Sequence, residues 1–179
     1  MAEMIRFRQW LAEAKAISIS RFPKIGWWLD NDPVTFYHGT HEKNLPFILK
    51  HGIVAPTTGA TAHWVSLAIE PNTGHGYASM SGAGGESSFR SSGANVVSVP
   101  HNERITFIIE MKQSDFLKKM APERGAMQST KNRLTDKAEY TKLVTNGRMS
   151  EAEYYATTEI RYPNSIPVKY IKGYSYLRP

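Results

Sequence analysis

"FYHGTHEKNLPFILKHGIVAP" occupies residues 36 to 56, and the reading of this stretch decides the fold. Val34-Thr35-Phe36-Tyr37-His38 is rich in β-branched and aromatic residues, which predicts a strand. From His41 to His51 the apolar residues Leu45, Ile48 and Leu49 recur at helical spacing. Pro46 falls in the first turn, where its missing N–H costs nothing, and Gly52 stands at the usual stop position. A strand that runs through His38-Gly39-Thr40 straight into a helix has two readings. Either His38 caps a strand end, or His38 and Thr40 form the edge of a nucleotide pocket.

Working outward, "HWVSLAIEP" (63–71) predicts a second strand stopped by Pro71, and "NTGHGYASMSG" a short helix carrying Tyr77. Residues 81 to 92 are almost entirely Gly, Ser and Ala, too poor in apolar surface to offset their ordering entropy, so a mobile loop is expected over 81–95. "RITFIIEM" (104–111) predicts a central strand, "SDFLKKM" and "DKAEYTKLV" helices, and "EYYATTEIRY" and "VKYIKGYSYL" two closing strands. Helices do not follow strands regularly, which predicts an α+β fold rather than a doubly wound parallel sheet. Pro23, Gly26, Asn31, Asp32 and Pro33 break up the stretch before the first strand. The domain is therefore expected to span 33–179, after an N-terminal segment and linker over 1–32. The Trp27-Trp28 pair reads as core, as a lid, or as an exposed platform for bases.

At 179 residues the chain suits one domain with a real core. No apolar run approaches the roughly 20 residues that cross a bilayer, so no membrane partner is expected. The absence of cysteine removes disulfides, thiolate nucleophiles and Cys-based zinc sites together, and fits a reducing compartment. A net charge of +6 favours acidic partners, nucleic acid among them, although the basic residues are spread along the chain. Six histidines invite a metal, yet none sits in an HExxH-like pair, and no metal site is expected. P-loop, GxGxxG and G-x-S-x-G patterns are absent.

The remaining candidates are dispersed: His38 at one strand end, Ser66 on another strand, Tyr77 on the next helix, Glu159 on a late strand. Together they resemble the ADP-ribosyltransferases, and within them the histidine branch of diphtheria toxin and the poly(ADP-ribose) polymerases. The likeness covers roughly residues 34 to 175. His38-Gly39-Thr40 followed by a helix and Gly52-Ile53 matches the first motif. The strand Val65-Ser66-Leu67-Ala68, with Tyr77 eleven positions after Ser66, matches the second. Glu159-Ile160-Arg161-Tyr162 running on to Ile166-Pro167 and Tyr170-Ile171 matches the third. Ser66 departs from the branch, standing where the polymerases carry Tyr and where the arginine-using toxins carry Ser. Those toxins also have a Glu where Thr157 stands.

The resemblance implies a split β-sheet or β-sandwich with flanking helices, and transfer of ADP-ribose from the substrate NAD+ to a host protein or nucleic acid. It implies that Tyr77 stacks on nicotinamide and that the Gly39 backbone meets its carboxamide, unobstructed by a side chain. His38 and Thr40 would bond ribose hydroxyls, and Glu159 would hold the nicotinamide-side ribose while positive charge develops. Glu151 and Glu153 compete with Glu159 for that role. An RNA 2′-phosphotransferase acting with NAD+, and an inactive nucleotide-binding virion protein, remain as alternatives.

The N-terminus carries apolar residues Ile5, Phe7, Trp10, Leu11 and Ala14 on one helical face, which reads either as a first packed helix or as a separate device. Phe7-Arg8-Gln9-Trp10-Leu11-Ala12-Glu13-Ala14 resembles the capsid-targeting segments of internal proteins of tailed bacteriophages. That likeness implies a propeptide over 1–13, cut after Glu13 by a maturation protease. It also implies passage from the phage capsid interior to the bacterial host cytoplasm; without it, a cytoplasmic protein is expected.

Overall fold

The structure is a computed structural model that describes residues 26–57, 63–78, 100–120, 137–156 and 159–176. The N-terminal segment with its Glu13–Ala14 bond, and the expected 81–95 loop, lie outside the described residues. Among the described residues five strands carry the fold: β1 (Val34–His41), β2 (Trp64–Ala68), β3 (Arg104–Met111), β4 (Glu159–Pro163) and β5 (Ile171–Ser175). They form one open sheet in the order β4-β2-β1-β3-β5, and every pairing is antiparallel. Helices α1 (Leu45–His51), α2 (Pro71–Ala78), α3 (Gln113–Met120), α4 (Lys137–Tyr140) and α5 (Glu151–Ala156) accompany it, α4 running on into a π-helical turn over Thr141–Thr145. The fold is α+β. β1, rather than β3, holds the centre of the sheet.

β1 pairs with β3 along its whole length, from Val34↔Met111 to His41↔Arg104. With β2 it pairs only at Tyr37↔Ala68. Beyond that rung the β1–β2 ladder ends, and the sheet opens beside His38.

The first helix behaves as its sequence predicts. Pro46 occupies the first turn, Ile48 and Leu49 are buried, and Leu45 packs at the core edge. Gly52 ends the helix at φ +82°, a backbone region that favours glycine. A Cβ there would also stand 2.2 Å from the Ile166 carbonyl oxygen. That contact accompanies the bridge Ile53↔Ile166, which ties the end of α1 to the segment between β4 and β5.

Three expected strands end differently. β2 stops at Ala68, because the Glu70 carboxylate accepts from the N–H groups of Asn72 and Thr73 and so starts α2 at Pro71. "EYYATTEIRY" divides into helix and strand. Ser150 and Glu153 cap each other reciprocally: the Ser150 N–H and hydroxyl donate to Glu153 Oε2, and the Glu153 N–H donates to Ser150 Oγ. This capping box winds residues 151–156 into α5, and the strand begins at Glu159. In "VKYIKGYSYL", Val168–Tyr170 forms a 3-10 turn before β5.

The main core lies on one sheet face, built on Val34, Phe36, Leu67, Ile105, Phe107, Ile109 and Ile160. Trp27 and Trp28 belong to it, 7 % and 2 % exposed, so they are no platform for bases. Trp28 meets Phe36 and Phe116 edge-on at 5.6 and 5.4 Å. Its backbone N–H donates to the Tyr155 hydroxyl, which itself donates to the Gly26 carbonyl. The packed unit thus reaches upstream of the expected boundary at residue 33.

The opposite face carries a small cluster of Tyr37, Ala68 and Ile108, with α2 against β1. The approach is close enough to require two glycines. A Cβ on Gly39 would stand 1.8 Å from the Gly74 carbonyl oxygen, and one on Gly74 would meet Tyr37 Cβ at 2.8 Å.

Candidate functional site

Register decides which side chains meet at the open edge. Ala68 pairs with Glu159 and Ser66 with Arg161, so Trp64 and Ser66 on β2 interleave with Glu159 and Arg161 on β4 along one sheet face. Ser66 donates its hydroxyl to Glu159 Oε1 at 2.5 Å. Arg161 Nε stands 3.6 Å from Glu159 Oε2, an ion pair longer than a hydrogen bond, and its guanidinium lies 5.2 Å over the Trp64 ring. The carboxylate is thus held on one oxygen by a neutral donor and faced on the other by a cation. It keeps about a quarter of its side chain exposed.

His38 reaches the same serine from β1. Its Nδ1 lies 2.9 Å from the Ser66 carbonyl oxygen. A carbonyl can only accept, so Nδ1 carries the proton. Burial holds the imidazole below its ordinary pKa, with the bond to Ser66 opposing the shift. In the neutral ring Nε2 then presents a lone pair, ready to accept from a hydroxyl. The side chain fills the place where the β1–β2 ladder has ended, and Ser66 joins His38 to Glu159 through two different oxygens.

Of the residues expected from sequence, His38, Ser66 and Glu159 are therefore brought together. Thr40 is buried, and its Oγ1 accepts from Asn44 Nδ2 at 2.9 Å, which engages it in the connection to α1. Gly39 is required by packing, apart from the role the resemblance implies for its backbone. The space left by its missing side chain is taken by the α2 backbone, so packing already demands glycine there. Tyr77 lies in α2, on the face that carries Ser66 and Glu159; its side chain is outside the described residues.

The competing glutamates have other work. Glu153 is exposed and caps α5, and Glu151 accepts from the Tyr140 hydroxyl at 2.5 Å. Two site residues escaped the sequence reading, Trp64 and Arg161. Their i, i+2 spacing with Ser66 and Glu159 was visible, but nothing in a single strand says which strand lies beside it. Among the described residues no group of three or more His, Asp or Glu could hold a metal, and no helix is long and apolar enough to cross a membrane.

No protein-family model matches the chain, and no curated protein matches it significantly.

Proposed function

We propose that this chain is a mono-ADP-ribosyltransferase, moving ADP-ribose from NAD+ to a macromolecular acceptor with release of nicotinamide. The observation that carries the reading is the convergence on Ser66. One serine orients a carboxylate through its hydroxyl and a neutral histidine through its carbonyl, at the edge where the sheet opens. These three residues come from separate strands, in the order that the resemblance requires.

The chemistry asks for this pairing. The bond between ribose C1′ and the nicotinamide nitrogen breaks with its electrons leaving on the ring, and positive charge develops on the ribose. Glu159 accepts the ribose 2′-hydroxyl and lies against that charge, held by Ser66 in one orientation before substrate arrives. His38 Nε2 accepts from a hydroxyl of the adenosine ribose. The acceptor nucleophile forms its bond to C1′ and loses its proton to solvent. The likeness of residues 7–14 to capsid-targeting segments supports delivery from a phage particle into a bacterial host, where the acceptor would be a host protein or nucleic acid.

The test is incubation of purified protein with NAD+ labelled in its adenylate part and bacterial lysate, alongside Glu159→Gln and Glu153→Gln. Label on a protein or nucleic-acid band, or nicotinamide release, is expected from the natural chain and from Glu153→Gln. In Glu159→Gln it should fall by about 100-fold or more. Absence of both turnover and NAD+ binding in the natural chain would end the proposal.

A further inference from the structure

Arg161, which faces Glu159, and Trp64, whose ring lies under the Arg161 guanidinium, each hold a nitrogen donor with no hydrogen-bond acceptor. Arg161 Nε and Trp64 Nε1 are both shut from solvent and both unsatisfied, although each side chain keeps part of its surface exposed. Each N–H can only donate. A buried donor without an acceptor is costly, and two of them on side chains held in cation–π contact seldom persist without a reason. Arg161 faces Glu159, yet at 3.6 Å its Nε makes an ion pair and no hydrogen bond. Its guanidinium lies over the indole, which steadies its plane while leaving its donors unused.

We propose that Arg161, supported by Trp64, is a phosphate-binding residue that leaves Glu159 for a phosphate oxygen when a phosphate-bearing ligand arrives. The unmet need is for acceptor oxygens, and the guanidinium fork matches phosphate in both charge and geometry. With Arg161 on the ligand, the unsatisfied N–H of the indole it lay over can offer a second bond. It also frees Glu159 Oε2 of a cation that would otherwise weaken its negative charge where the reaction needs it. Two ligands supply such oxygens at this place: the pyrophosphate of a dinucleotide and the backbone of a nucleic acid. The link to Glu159 chemistry rests on the transferase reading; the phosphate site itself does not.

The experiment is nitrogen-15 NMR of the full chain, following the Arg161 Nε–H and Trp64 Nε1–H resonances, assigned by Arg161→Lys and Trp64→Phe. The probes are inorganic pyrophosphate, NAD+, nicotinamide riboside (which lacks phosphate) and a single-stranded oligonucleotide. Both resonances are expected to move with pyrophosphate and to stay still with nicotinamide riboside. Movement with NAD+ assigns the site to the dinucleotide, and movement with the oligonucleotide but not NAD+ assigns it to a nucleic acid. Arg161→Lys, which keeps the charge but loses Nε–H and the fork, should weaken binding about tenfold while the rest of the spectrum stays in place. If no phosphate-bearing probe moves either resonance, or nicotinamide riboside moves both equally, the proposal falls. A phosphate response without NAD+ turnover would retain this site and reject the transferase; turnover without a phosphate response would do the reverse.

Discussion

Ser66 and Glu159 are 93 positions apart in the chain, and their side chains meet at 2.5 Å because β2 and β4 are neighbours in the sheet. Ser66 is diagonal to Glu159, on the same face as Ala68, its partner in register. The hydroxyl is therefore built to orient the carboxylate, and this has a measurable consequence.

On the transferase reading, Ser66→Ala should lower kcat for NAD+ by about 10- to 100-fold, the worth of one hydrogen bond to a charged group. The melting temperature should change little, because the residue is only half-buried. Ser66→Thr keeps the hydroxyl and should retain most of the rate. Steady-state kinetics on the three proteins checks this; equal rates in all three would deny Ser66 a positioning role.

Gly39→Ala should destabilise the fold by at least about 2 kcal/mol, since the new Cβ would meet the Gly74 backbone and cannot be relieved by turning a side chain. A lower urea midpoint with an unchanged slope is the expected signature. If α2 simply moves aside, stability will survive and the contact will prove soft.

His38 makes stability depend on pH. Its pKa is lowered in the folded state, so the unfolded chain binds the proton more readily. The contribution is full above the ordinary histidine pKa of about 6.5 and is lost as pH falls from there toward the lowered folded value. Thermal melts between pH 7.5 and 5 should show this fall, and His38→Gln should flatten it. An equally steep fall in the variant would place the effect elsewhere.

Tyr155→Phe should cost about 1–3 kcal/mol, because it leaves the buried Trp28 N–H without its acceptor and removes the bond to the Gly26 carbonyl. Trp28→Ala should cost about 3–5 kcal/mol through the cavity opened against Phe36 and Phe116. A chain beginning at residue 33 loses both supports and should melt well below the full chain. Calorimetry on these proteins tests whether the folded unit includes Trp27 and Trp28.

Much of this molecule was legible one residue type at a time. Local chemistry was sufficient for β1 and for α1 with Pro46 and Gly52 at its ends, since β-propensity, helical spacing and cap residues act within a few positions. It was also sufficient for the α+β class, whereas His38, Ser66 and Glu159 became candidates only through the resemblance of their motifs. The sequence misled where a short stretch had two local outcomes, as at 151–156, where a Ser150–Glu153 cap turned expected strand into helix. Tertiary structure alone decided which strands are neighbours, and with that which glutamate lies beside Ser66. It alone placed Arg161 over Trp64 and against Glu159, and put the α2 backbone in the space beside Gly39. Strand pairing joins residues of large sequence separation, so no local propensity encodes it; it is selected by the packing of the whole sheet.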